Sequence, residues 1–431
     1  MSTTSRCAHL DARSPNSCGW RRSAAAPLLA VALSLAPLLA GCRDDSMPIQ
    51  APPPAVAQPS VEGRGQLVAS GKEIFRFDTF DDERFWTDTA RLHEVIQQAL
   101  TPNLALQLGL KVDVNALPAS LREAILAGQV DLDDPATTVA LLELDAVIGV
   151  RGTVRTVEGR DVLVRAGITC ALCHSTVNNS LAPGIGERLD GWPNRDLDVG
   201  KIIALSPAIP PGKKEVYRSW GPGMYDPRFN QDGISRPVVM PPAFGLANVA
   251  KEIYTGDGPI SYWNAYVAVT QMHGQGTFVD PRLGISIVKT PDLVTPKLPA
   301  LLAYQLTLRK PRPLRGAFEP AAAARGRLVF RGDGRCSTCH VGRVLTDVNL
   351  GVLHAPAETG MEPLYASRSA TKMYRTTPLR GLWHPPQLVG PYFHDGSAAT
   401  LDDVVEHYDK VLDLKLTARQ KADLVQYLRS L

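Results

Sequence analysis

Two five-residue stretches constrain this 431-residue chain more than anything else in it: Cys170-Ala-Leu-Cys173-His174 and Cys336-Ser-Thr-Cys339-His340. Two cysteines separated by two residues, with a histidine directly after the second, form the arrangement that attaches a haem covalently. The thiols close thioethers to the edge of the ring, and the histidine sits beneath the iron. A Cys-x-x-Cys by itself also serves thiol–disulfide exchange or zinc binding. The adjoining histidine, the repetition and an export signal select haem. A porphyrin supplies much of the apolar interior of its own pocket, so each motif predicts a pocket closed by helices and loops. The chain is expected to be mainly α, with two haem domains.

The export signal lies at the N-terminus. Arg21-Arg22 precedes an apolar run, Ser23–Cys42, that is too short and too broken by Pro27 and Pro37 for a membrane span. Its end, Leu39-Ala40-Gly41-Cys42, resembles the lipobox of bacterial lipoproteins, which implies cleavage before Cys42 and acylation there. Several acyl chains anchor stably where one does not. Of the seven cysteines, Cys7 and Cys18 leave with the signal, Cys42 takes lipid, and the other four take two haems. None remains for a disulfide. The expected location is the periplasmic side of a bacterial membrane, lipid-anchored at Cys42. Loss of residues 1–41 removes four of the 46 basic and one of the 43 acidic residues, leaving a formally neutral chain. That balance points away from nucleic acid as a partner.

The pattern along the chain divides it into five parts. Residues 1–41 are the lipoprotein-type signal peptide, and 42–73 hold the lipidated cysteine and a proline-rich tether, with Met47–Ser60 extended. Residues 74–165 form a helical extension with a β-hairpin, 166–310 the N-terminal haem domain, and 311–431 the C-terminal haem domain. In the extension, Phe85, Leu92, Ile96 and Leu100 share one face of a predicted helix. Shorter helices are expected around Ala119–Ala127 and Pro135–Leu144. Val147–Val164 alternates on either side of Glu158-Gly159, which predicts a hairpin leading into the first haem motif. "EPAAAARGRLVFRGDGRCSTCH" has the form of a cytochrome c N-terminal helix, with Gly326 and then Phe330 before Cys336. Thr400 and Thr417 are expected to cap the last two helices.

The ligand on the far side of each iron decides between relay and chemistry. The segment Met373–Leu412, "MYRTTPLRGLWHPPQLVGPYFHDGSAATLDDVVEHYDKVL", resembles the C-terminal haem domain of bacterial diheme cytochrome c peroxidases and their MauG-like relatives. The resemblance is specific over Arg325–Leu431, and it implies two cytochrome c-like haem domains. In peroxidases the last-but-one helix supplies a methionine to the iron. The matching position here is Tyr408, as in MauG-type enzymes. Helical phase agrees, because Tyr408 shares a face with Leu401 and Val405 while His407 points about 100° away. The expected pair is His340 with Tyr408, and His407 is the second choice.

Met240–Trp263 resembles the peroxidase segment that contacts an interdomain calcium and places a tryptophan between the haems. Carried over, Asn248 and the carbonyls of Val389 and Pro391 would hold calcium, an oxygen-only set suited to that ion. At the tryptophan position this chain has Gly256, with Trp263 close by in sequence. The family also places a Glu-Met pair downstream, where the acid helps to split peroxide. Here the residues are Gln271-Met272-His273, and glutamine cannot exchange that proton. Gln271 and His273 are the catalytic candidates. His273 is open to three roles: proton exchange, ligation of the N-terminal iron (with Met272 as the other candidate), or neither.

The resemblance implies peroxide reduction at the N-terminal haem. Electrons would come from a small donor, such as a monohaem cytochrome or a copper protein, at the C-terminal haem. The alternatives are a diheme electron-transfer protein without catalysis and a MauG-like oxidase of a protein substrate.

Overall fold

Helix α1 (Val61–Phe77) opens the described part of the chain, which in this computed structural model comprises residues 61–383 and 390–431. The signal peptide, Cys42 and the tether through residue 60 lie outside the described residues, as does Val389. The tether expected to reach residue 73 is therefore helical from Val61 onward. Gly63, Gly65 and Gly71 lower the helix propensity of this segment, which is why the sequence does not announce it.

The helix predicted to run from Phe85 to Leu100 is broken. One wide turn covers Arg84–Thr89, Arg91 adopts a left-handed conformation with φ 54°, and α2 (Leu92–Ala99) follows. Trp86 and Leu92 are buried from these two pieces. Strands β1 (Val150–Val157) and β2 (Arg160–Ile168) then form the expected hairpin, turning at Glu158-Gly159 where both residues have positive φ. β2 runs on to Ile168 and delivers the chain to Cys170. The sheets formed by the described residues are all two-stranded, and the rest of the architecture is mainly helical.

Helix α3 (Ile260–Thr270) carries Trp263 and Tyr266 into the interior, and α4 (Leu298–Gln305) packs against α1. That last contact depends on Gly71. A Cβ there would fall 1.9 Å from the Ala300 carbonyl oxygen, so only glycine lets α1 lie directly on α4.

The C-terminal part repeats this device. α5 (Pro320–Arg331) crosses α7 (Ala418–Arg429), and a Cβ at Gly326 would fall 1.9 Å from the Asp423 carbonyl oxygen. Arg325 clamps the crossing with two bonds to Asp423, at 2.7 and 2.8 Å. Between them α6 (Leu401–Val411) is capped by Thr400, as α7 is by Thr417, each through a reciprocal capping box. Phe330, Leu401, Val405, Leu424 and Leu428 form the shared core of these three helices. Among the described residues no helix is long and apolar enough to cross a membrane.

Candidate haem sites

The second motif follows α5 through a turn at Arg335, which has φ 52°. Cys336–Thr338 form one 3₁₀ turn, and the His340 amide donates to the Cys336 carbonyl at 2.9 Å. The His340 ring is fixed from behind, its Nδ1 lying 2.9 Å from the Leu345 carbonyl oxygen. A carbonyl only accepts, so Nδ1 carries the proton and Nε2 keeps its lone pair. Metal-bound histidines are oriented in this way. Burial also pushes the imidazole down, favouring the neutral form that a metal needs.

A cavity of about 280 Å³ opens in front of this ring. Cys336, Cys339 and His340 line it, with Phe330 of α5, Leu401, Val405 and Tyr408 of α6, and Leu424 and Leu428 of α7. Tyr408 is thus on the cavity wall. Burial pushes its phenol up to about 12, so by itself it is protonated, and a cation at its oxygen would draw the proton off. His407 does not line the cavity: its Nε2 lies 2.8 Å from the Thr359 carbonyl oxygen. Two thiols, a free Nε2, an apolar enclosure and a phenol on its wall make a donor set that fits a haem. Cys339 also lies within 4.8 Å of Asp347 and His354. As a thioether its sulfur would offer a cation no thiolate, so this trio supports the loop rather than a separate ion.

The first motif occupies a single turn, Ala171–His174, between β2 and the short strand Ser175–Val177. Asp190 pins this turn by accepting from Ser175 Oγ at 2.8 Å, Arg76 Nε at 2.6 Å and Tyr304 Oη at 2.5 Å. The His174 and Cys173 carbonyls accept from Gly191 and Asn194 amides. Burial pushes both thiols up to about 12. It pushes His174 down to about 4, against the pull of the Pro241 carbonyl. The His174 Nδ1 is buried with no hydrogen-bond partner among the described residues, an orphaned polar atom of the kind an incomplete site leaves. This set too fits a haem. Arg195 and Pro241, which act on His174, also line the C-terminal cavity, so the two motifs share a wall.

The triplet 271–273 is split three ways. The Gln271 amide is fully engaged: Nε2 donates to the Pro227 carbonyl at 2.7 Å and to Thr270 Oγ1 at 2.9 Å, while Oε1 accepts from Tyr225 Oη at 2.5 Å. Met272 is buried in the cluster with Phe80, Trp263 and Tyr266 that packs against Cys170. The His273 ring stacks on Phe85, and burial with Lys289 nearby pushes it down to about 4.

Of the proposed calcium ligands, Asn248 accepts on its main-chain carbonyl from Asn349 Nδ2 at 2.7 Å, Pro391 lines the C-terminal cavity, and Val389 lies outside the described residues.

No family model matches the chain. It is 30% identical over 152 residues to a cytochrome-c peroxidase of Denitromonas iodatirespirans, covering 26% of this chain and 40% of that protein. It is 29% identical over 126 residues to the methylamine utilization protein MauG of Methylorubrum extorquens, covering 26% of this chain and 35% of that one. Over about a quarter of its length the chain is distantly homologous to the cytochrome c peroxidases and MauG. It spans less than half of the length of these relatives. Among solved structures, the hydrazine synthase of Kuenenia stuttgartiensis aligns with TM-score 0.33 and 18% identity, over 50% of this chain and 78% of that one.

Sequence reasoning missed three features around these sites. Phe85 and Trp86 close over the 271–273 loop, Trp86 through a 3.1 Å bond from Nε1 to the Met272 carbonyl. Tyr225 holds Gln271. Glu252 pairs with Arg375 and Arg380. Only the two arginines, inside "YRTTPLRG", carried a signal in the sequence.

Proposed function

We propose that the chain is a diheme c-type cytochrome, lipid-anchored at Cys42 on the periplasmic side of a bacterial membrane, that reduces hydrogen peroxide at its N-terminal haem. A small redox protein, a monohaem cytochrome or copper protein, supplies the electrons at the C-terminal haem. The observation that carries the cytochrome reading is His340: its ring is held with Nε2 free on the wall of a cavity that also bears Cys336, Cys339 and Tyr408.

Haem bound at the two motifs supplies one-electron chemistry. The protein supplies the rest. The cysteine pairs fix each ring edge, His174 and His340 each present one imidazole, and Tyr408 offers its phenol oxygen in the second cavity. A tyrosine ligand lowers the potential of a haem relative to methionine, because an anionic oxygen favours the oxidised metal. In this reading the relay between the haems falls to Trp263, which lies close in sequence to the Gly256 that stands at the relatives' tryptophan position. Its ring lies in the cluster against Cys170, and its Nε1 donates to the Glu252 carbonyl at 3.1 Å. At the N-terminal site His273 is the group able to take and return a proton, since Gln271 is not titratable. Calcium between Asn248 and the 389–391 segment belongs to this reading through the family resemblance.

The second reading, electron transfer without catalysis, is favoured by one specific observation. The Gln271 amide is fully bonded and His273 is stacked on Phe85, which leaves the peroxide-handling group far less basic than a free imidazole. Electron paramagnetic resonance of the oxidised and half-reduced protein, before and after peroxide, separates the two. A high-spin or peroxide-sensitive signal in the half-reduced form supports the peroxidase. Two low-spin haems that ignore peroxide leave the electron carrier.

A further inference from the structure

The wall of the C-terminal cavity carries an excess of buried positive charge. Arg375 and Arg380, each 7% exposed, line it together with Arg195, and among the described residues no carboxylate does. Behind them stands Glu252, 2% exposed, whose Oε2 accepts from Arg375 Nη2 at 3.0 Å and Arg380 Nη2 at 3.4 Å. Two guanidinium groups share one carboxylate, so this trio alone is left with one net positive charge.

The remaining bonds of the trio are to backbone carbonyls, which bring no charge. Arg375 Nε donates to the Ile253 carbonyl, and Arg380 Nη1 to the Gly245 carbonyl at 2.6 Å. Arg375 Nη1 is left buried with no partner among the described residues, and so is Glu252 Oε1. A buried guanidinium N–H with no acceptor costs on the order of 1–3 kcal/mol or more, and an uncompensated buried charge costs further. A protein keeps such a group where something else completes it. Burial pushes the Arg375 guanidinium down, Glu252 opposes that shift, and the neighbouring Arg380 adds to it.

The shape of the missing partner follows from the donors. Arg375 keeps one nitrogen, Nη1, without an acceptor, and a guanidinium on a cavity wall suits a carboxylate. The haem proposed for this cavity carries two carboxylates, on the edge of the ring opposite the thioethers. We infer that Arg375 and Arg380, braced by Glu252, form the seat for a carboxylate of the C-terminal haem. The brace has a second function. The Glu252 main chain holds Trp263 by the 3.1 Å bond from Nε1, and Trp263 packs in the cluster against Cys170. The seat of one haem is thus anchored to the core of the other.

This inference rests on haem attachment at Cys336 and Cys339, so the experiment reads that first. A pyridine haemochrome assay of the full chain, expressed with its export signal, counts haem. Fewer than two per chain in the wild type overturns the haem reading itself. With two present, Arg375→Gln and Arg375→Lys are compared by redox titration against pH and by resonance Raman of the haem carboxylate bending mode. Arg327→Gln, an exposed position on α5, is the control for simple loss of charge.

Removing the buried cation favours the oxidised iron, so Arg375→Gln lowers the potential of one haem. It also introduces a pH dependence as the released carboxylate titrates, and it shifts the bending mode. Lysine keeps the charge but not the fork, so it restores the potential in part and leaves the Raman mode displaced. If Arg375→Gln loses haem or does not fold, the lysine variant decides by its Raman shift. A variant with two haems, an unchanged potential, an unchanged pH profile and an unmoved bending mode overturns the seat.

Discussion

The imidazole of His273 lies flat on the ring of Phe85, with 3.6 Å between centroids and 21° between planes. His273 itself sits at φ 67°, outside the ordinary regions for a residue with a side chain. Lys289 Nζ binds the His273 and Gly274 carbonyls, at 3.1 and 2.9 Å, and holds the loop in that conformation. The histidine that the sequence left with three possible roles is therefore held by a stacked ring and a strained backbone. Burial and the nearby Lys289 charge keep the imidazole neutral.

That neutrality has a pH signature. His273 falls from 6.5 to about 4 on folding, mainly through burial. The unfolded chain thus binds the proton first, so stability is full above pH 6.5 and is lost as pH falls toward 4. The shift corresponds to at most about 3 kcal/mol at about 1.4 kcal/mol per unit. His273→Leu should remove this dependence, seen as a smaller loss of chemical-denaturation midpoint between pH 7 and pH 4.5 than in the wild type.

Asp82 slopes the other way. It is fully buried, no basic side chain among the described residues bonds to it, and its carboxylate faces the Ile168 amide at 3.2 and 3.4 Å. Burial raises it from 3.8 to about 9, with Glu83 and Asp78 adding to the rise. The folded chain keeps a proton that the unfolded chain has released. Stability therefore declines as pH rises through that window, by up to about 1.4 kcal/mol per pH unit. Asp82→Asn keeps an acceptor for Ile168 and loses the charge. Its unfolding midpoint should match the wild type near pH 4 and exceed it at pH 8.

The two neighbours on α6 should part company. Tyr408→Phe removes the phenol oxygen that α6 places on the cavity wall, so the visible and paramagnetic spectra of one haem change and its potential rises. His407→Ala loses the bond to the Thr359 carbonyl and the ring contact with Phe393, and stability should fall by at least about 1 kcal/mol with both spectra intact. A spectral change in the histidine variant instead would transfer the ligand role to His407.

Helix crossings at glycine predict steric failure. Gly71→Val drives a side chain into the Ala300 carbonyl, and Gly326→Val into that of Asp423. Each should cost at least about 1–3 kcal/mol, the usual range for overpacking. The Gly326 change should also loosen haem at Cys336 and Cys339, because α5 leads directly into that motif. Thermal melts followed at the haem band and in the far ultraviolet separate the two effects.

Much of the fold was legible where a signal is local. The hairpin turning at Glu158-Gly159, the Thr400 and Thr417 caps and the helices near residues 119–126 and 135–143 all follow from short-range pattern. The failures came where packing overrode propensity. α1 is rich in glycine and still helical, because Gly71 admits the Ala300 carbonyl. The predicted helix through Phe85 breaks at Arg91, because Phe85 and Trp86 turn inward onto the loop that carries Met272 and His273.

The division has a physical cause. Covalent attachment needs two thiols and an imidazole within one turn, so five consecutive residues determine it, and the sequence alone determined both attachment sites proposed here. What faces those sites comes from remote segments. Residues 85 and 273, and 252 and 375, meet only through long-range packing, which also puts 195 and 340 on one cavity wall. Helical phase within α6 already favoured Tyr408 over His407, whereas the tertiary structure alone decided that the Gln271 amide is already bonded and that two buried arginines share one carboxylate.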